Sequence, residues 1–119
     1  MAKGQEGFRD LIVWQRAVQL SLSLYRLTKG FPREEVFGLT SQLRRAGVSV
    51  ASNIAEGWGR QTSGEYKQFL GMARGSNLEV QTQLVIAAEL LYGSQLDLQT
   101  AEGLSFEVGR MLVALMKSV

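Results

Sequence analysis

A chain of 119 residues has room for one domain but not for two ordinary ones. At 45% apolar and 20% charged residues it can bury a core, and 13 basic against 11 acidic side chains leave a net charge of only +2. Cys and His are both absent, which excludes disulfides, thiolate metal sites, cysteine nucleophiles and the commonest general base and metal ligand.

A single proline, Pro32, and the lack of long β-branched runs point to an all-α chain. Residues 1–9 read as a flexible N-terminal tail and residues 10–119 as one domain. The first helix is expected over residues 11–29, with Asp10 as N-cap and Gly30 just beyond its end. Val13, Ala17, Leu20, Leu24 and Leu27 recur at alternating spacings of four and three, which puts them on one helix face. Leu11, Trp14, Val18 and Tyr25 form a second apolar stripe beside it.

"GFPRE" breaks the chain. The second helix is expected to start around Pro32, with Glu34 and Glu35 complementing the positive end of its dipole, and to end at Gly57 and Gly59. Its core stripe reads Val36, Leu39, Leu43, Ala46, Val50 and Ile54. The third helix opens on a capping box, Thr62 with Glu65 three residues on. Its heptad seam runs Tyr66, Leu70, Ala73, Asn77, Val80, Leu84, Ala87 and Leu91. Gly93 closes it, and Asp97 or Thr100 opens a fourth helix with the seam Ala101, Leu104, Val108, Met111 and Leu115. Four amphipathic helices with short connections predict an antiparallel up-down-up-down four-helix bundle. The third helix reads as longer than its neighbours. Its overhang and the surplus apolar residues Phe106, Val113 and Met116 predict self-association.

The longest apolar stretch, residues 84–92, is broken by Glu89 and is too short to span a membrane. With no apolar leader at the N-terminus, a cytoplasmic protein without a membrane partner is expected. Without His, the Glu-x-x-His pairs of a di-iron bundle cannot be built, and no metal, cofactor or catalytic residue is expected.

Three features of the sequence bear on a site. Gln42, Arg45, Ser49, Asn53 and Glu56 share one face of the second helix, and Arg60 extends that line. Short hydrogen-bonding residues there favour a polar subunit interface over a solvated face or a ligand contact. Within it, Asn53 and Glu56 are expected to bond near the next turn, Glu56 in a buried charge pair with Arg45 or Arg60. Asn77 sits in the heptad seam, where a lone Asn typically fixes register or oligomeric state. Gly71 and Gly75, inside the third helix, each cost about 1 kcal/mol relative to Ala, an expense that close approach of a neighbouring helix or subunit would offset. Finally, residues 1–75 hold 11 basic and 6 acidic side chains, a net of +5. Arg44, Arg60, Lys67 and Arg74 are the candidates for contact with nucleic-acid phosphates.

The segments "FRDLIVWQRAVQL", "FGLTSQLRRAGVSVASNIAEGWGR" and "EYKQFLGMARGSNLEVQTQL" resemble the four-helix-bundle family of the 23S rRNA intervening-sequence protein, related to the accessory variability determinant of diversity-generating retroelements. The resemblance implies a bundle assembling as a homopentamer and no enzymatic activity. For most members the function is unknown. Retroelement-associated relatives bind nucleic acid and a reverse transcriptase, which makes nucleic acid and a nucleic-acid-handling enzyme candidate partners. The family motif falls on Ser41, Gln42, Arg44, Arg45, Ser49, Ser52, Asn53, Glu56, Gly57, Arg74, Gly75, Ser76 and Glu79. This chain is less basic than the retroelement relatives. A structural interaction module without a nucleic-acid role is the competing reading.

Overall fold

The computed structural model describes residues 7–119. Four helices, α1 (Ile12–Thr28), α2 (Leu39–Trp58), α3 (Ser63–Glu89) and α4 (Gln95–Ser118), form an all-α antiparallel bundle, and short 3-10 turns at Gly7–Asp10 and Arg33–Glu35 precede α1 and α2. Helices consecutive in sequence pack against one another, and α4 closes the ring on α1. The body measures 46 × 22 × 21 Å. None of the described helices is long and apolar enough to cross a membrane.

The alternating four-and-three spacings work as expected in α1 and through the middle of α3, but the expected ends of the α3 seam fail: Tyr66 is only half-buried, and Leu91 lies past the helix end at Glu89 and is exposed. Val13, Ala17, Leu20, Leu24 and Leu27 are all buried, as are Leu70, Ala73, Asn77, Val80, Leu84 and Ala87. In α4 the buried line is Ala101, Ser105, Val108 and Leu112. Leu104, Met111 and Leu115 flank it, half-buried. The apolar arc of α4 is wide enough to hold two stripes, and periodicity alone picked out the half-buried one over the one that is fully buried.

The helix ends depart further from expectation. Leu11, not Asp10, occupies the N-cap of α1 and makes no side-chain cap bond. Asp10 closes the preceding 3-10 turn. Thus part of the expected tail, from Gly7 onward, is structured, while residues 1–6 lie outside the described residues. At the other end Lys29 is the C-cap and Gly30 follows it, just beyond the helix as expected, though without a left-handed φ. Helix α2 starts at Leu39, seven residues after Pro32, because Gly38 interrupts the helical path with φ −113° and ψ −116°. Val36 is consequently half exposed rather than part of the core. Glu35 still serves the helix start, by accepting from the Leu39 amide through Oε1 at 3.0 Å. Its Oε2 accepts from the Tyr92 hydroxyl at 3.0 Å, which ties the α1–α2 connection to the α3–α4 connection. That bond to the carboxylate holds the Tyr92 phenol above its ordinary pKa.

Thr62 caps α3 as expected, its Oγ1 accepting from the Glu65 amide at 3.1 Å. Helix α4 is capped by Ser94, whose hydroxyl accepts from the Asp97 amide at 3.1 Å, rather than opening at Asp97 or Thr100. Of the two glycines expected to end α2, Gly59 does so as its C-cap, whereas Gly57 does not. It is buried inside the helix, and a methyl group there would lie 2.9 Å from Phe69 Cβ and 3.3 Å from the Tyr66 carbonyl oxygen. Glycine therefore sets how closely α2 approaches α3. No such reason exists among the described residues for Gly75, around which a methyl group would meet none of their atoms within 4 Å, and Gly71 faces Met116 Cε at 3.9 Å. Helix α3, at 27 residues, is longer than both its neighbours as expected, by seven residues over α2 and by three over α4.

Candidate functional site

The core falls into two clusters. One gathers Leu20, Leu24, Leu27, Leu43 and Leu84 with their neighbours, and the other Val13, Ala17, Val50, Ile54, Leu70 and Leu112. Asn77 and Ser105 sit where they meet, each flanked along its helix by one residue of either cluster. Asn77 Nδ2 donates to the Ser105 carbonyl at 2.9 Å, and Ser105 Oγ donates to Asn77 Oδ1 at 2.8 Å. Both side chains are essentially fully buried. Sequence reading singled out Asn77 but missed Ser105. The signal was a Ser between Ala101 and Val108 on one face of α4.

The polar stripe of α2 lies along α3. Ser49 Oγ and Ser76 Oγ are 2.9 Å apart, and Asn53 Nδ2 donates to the Ser49 carbonyl at 2.9 Å and to its Oγ at 3.0 Å. Gln83 Nε2 donates to Gln42 Oε1 at 3.4 Å, a long bond. Gln83 Oε1 is buried without a partner among the described residues. Asn53 thus bonds back along its own helix, not toward the α2–α3 turn.

Glu56 does find Arg60, at 3.2 Å, but the pair is not buried: the two side chains keep 56% and 40% exposure. An exposed i,i+4 pair contributes well under 1 kcal/mol. Glu56→Ala is therefore expected to shift thermal unfolding by no more than about 0.5 kcal/mol. A loss of several kcal/mol in a melting curve would show that Glu56 has a second partner. Arg45, the other expected partner, points away from this pair and lines a hollow on the α1 side of α2.

The four cations expected to contact phosphates do not form one patch. Arg44 reaches α1, with its Nε donating to Thr28 Oγ1 at 2.8 Å and its guanidinium 4.5 Å from the centre of the Tyr25 ring. Arg60 stacks over Phe69 at 4.5 Å at the end of the bundle. Lys67 and Arg74 are exposed on α3, seven residues apart and hence on one face. Arg74 shares an apolar furrow between α3 and α4 with Arg110, a residue the sequence reading passed over. Leu78, Phe106 and Val113 line that furrow and are between 36% and 52% exposed. A second furrow, between α1 and α2, is lined by Trp14, Val18, Leu22, Val48, Ala51 and Ala55. In a ring ordered α1–α2–α3–α4, these two furrows are on opposite sides of the bundle. Among the described residues no group of three or more acidic side chains could hold a metal.

A family model described as 23S rRNA-intervening sequence protein matches residues 9–114. The chain belongs to this family. The match spans α1, α2 and α3, α4 as far as residue 114, both furrows and every residue of the polar stripe. A comparison with curated proteins returns no match. Among solved structures, the chain is similar to a Bacteroides thetaiotaomicron protein of unknown function from the S23 ribosomal protein family, with a TM-score of 0.79 at 18% identity, covering 89% of this chain and 99% of that one. At that identity the likeness establishes the fold, and it agrees with the bundle described above.

Proposed function

We propose that this family member is a non-enzymatic, self-assembling cytoplasmic scaffold. The observation that carries the reading is the pair of apolar furrows on opposite sides of one bundle. Different surfaces on opposite sides give a head-to-tail contact, and such contacts close into rings when the rotation permits. The homopentamer implied by the family resemblance is one such ring. Gly75, around which an added methyl group would meet no described atom within 4 Å, fits close approach of a second copy. Light scattering behind size exclusion is expected to give several times 13.1 kDa, and a monomer at micromolar concentration would overturn the reading. Leu22→Asp in one furrow and Phe106→Asp in the other should each break the assembly alone, because every head-to-tail contact uses both surfaces.

A second role, contact with nucleic-acid backbones, is supported by Lys67 and Arg74, neither of which forms an ion pair among the described residues. A ring repeats this modest surface and raises avidity without new contacts. A nucleic-acid-handling enzyme is the protein partner that this role suggests. Binding of labelled RNA or DNA should weaken steeply with salt and fall in the Lys67→Glu, Arg74→Glu double variant. No binding at low salt would leave the scaffold role alone.

A further inference from the structure

Arg44 is held unusually well for a cation at the surface of a small bundle. Its Nε is bonded to Thr28 Oγ1 at 2.8 Å and its plane lies over the Tyr25 ring. Thr28 is itself buried, and its hydroxyl proton goes to the Leu24 carbonyl at 2.8 Å, with the Tyr25 carbonyl at 3.3 Å. With its proton committed, the Thr28 oxygen faces Arg44 as an acceptor only. Two anchors on α1, one polar and one aromatic, therefore fix the guanidinium. Its two Nη groups make no hydrogen bond to any described residue and remain as unused donors.

Arg44 lines an open hollow of about 430 Å³ together with Ser41, Arg45, Tyr25, Val36 and Val48. Ser41, Arg44, Arg45 and Val48 follow one another at the i, i+3, i+4 and i+7 spacing of a single helix face. No carboxylate lines the hollow. Two arginines thus line one hollow with a hydroxyl and an apolar rim, and no carboxylate on its wall neutralises them.

We propose that this hollow is a phosphate-binding site, with the Arg44 Nη groups as a fixed fork, Arg45 as the second cation and the Ser41 hydroxyl as a further donor. A planar fork already locked in place gives up little rotamer freedom on engaging an oxyanion, which is the advantage of Arg over Lys at such positions. Phosphate fits better than carboxylate because one carboxylate would satisfy one guanidinium and leave the other uncompensated, whereas a phosphoryl group offers three oxygens and up to two charges. The phosphate could belong to a polynucleotide backbone or to a free phosphorylated small molecule, since the site reads the chemistry the two share. Thr28 is a positioning residue that acts through Arg44. The site does not depend on Lys67 or Arg74, so it stands or falls separately from the nucleic-acid role above.

The test is a titration of the full chain, labelled with nitrogen-15, with inorganic phosphate at constant ionic strength. A saturable shift of the Arg44 Nε–Hε resonance and of the Ser41 to Arg45 amides is expected. Arg45→Gln, a change at an exposed position, should weaken binding by about tenfold. Arg44→Lys should remove saturation although it keeps the charge, and Thr28→Val should weaken phosphate binding while both arginines remain. Lys67→Glu with Arg74→Glu should leave the titration unchanged. Absence of a saturable shift, or equal binding by wild type and Arg45→Gln, would overturn the proposal, and the latter comparison holds even if the Arg44 variant fails to fold. A parallel titration with a labelled single-stranded RNA oligonucleotide identifies the source. Lower RNA affinity in Arg45→Gln supports a site for backbone phosphate, and unchanged RNA affinity alongside weakened phosphate binding supports a site for a small phosphorylated ligand.

Discussion

Asn77→Ala is expected to destabilise the fold by about 3 kcal/mol, the combined effect of two lost hydrogen bonds, an orphaned Ser105 hydroxyl and a small cavity between the core clusters. For a chain of this size that corresponds to a fall in melting temperature of roughly 10 °C. The asymmetry of buried hydrogen bonds supplies the control. Removing one partner leaves the other desolvated and unpaired, whereas replacing both with apolar groups is far less costly. Asn77→Leu combined with Ser105→Ala should therefore recover most of the loss, while Ser105→Ala alone leaves Asn77 Oδ1 without its donor. A double-mutant cycle of Asn77→Ala, Ser105→Ala and the two combined, read by thermal or urea unfolding, checks the pairing, and additive single effects would mean that the two residues do not act as a pair. The pair sits at one level of α3 and one level of α4. It thereby rewards a single axial register between helices whose apolar faces alone would tolerate sliding.

The α3–α4 connection supplies the second large effect. Gly93 has φ +75°, and a methyl group on it would lie 2.6 Å from Leu27 Cδ1 and 3.2 Å from Phe31 Cε1. Left-handed backbone costs a residue with a Cβ about 1–2 kcal/mol, and here the new methyl group also pushes into packed side chains. Gly93→Ala should lower stability by about 2–3 kcal/mol in an unfolding titration. Two residues earlier the same logic reverses. Leu91 has φ +60° and is 88% exposed. The Leu91 amide donates to the Ala88 carbonyl at 3.1 Å and the Tyr92 amide to the Ala87 carbonyl at 2.9 Å. This pair of bonds is the Schellman arrangement that usually carries glycine. Leu91→Gly is expected to gain about 0.5–1 kcal/mol. If Leu91→Gly instead destabilises, its side chain is covered by something, and in a self-assembling protein the partner copy would be the first place to look.

The sequence by itself determined that there are four helices and, for α1 and α3, which side of each is buried. Both follow from periodicity, a property of one helix read along its own axis. It also determined the Thr62 cap, because a capping box closes within four residues. What it missed depends on two or more helices at once. Whether α4 turns Leu104 or Ser105 inward depends on its rotation against α1 and α3, and a wide apolar arc permits either. That Asn77 finds Ser105, that Arg44 lies on Tyr25 and Thr28, and that the Glu56–Arg60 pair stays in water all depend on relative rotation and axial offset between packed helices. Composition placed 11 basic residues in the first 75 positions, yet only the tertiary structure could distribute them over different faces. A polar side chain's partner is chosen by distance in space, and in a bundle the decisive distances run across helices that lie far apart in the chain.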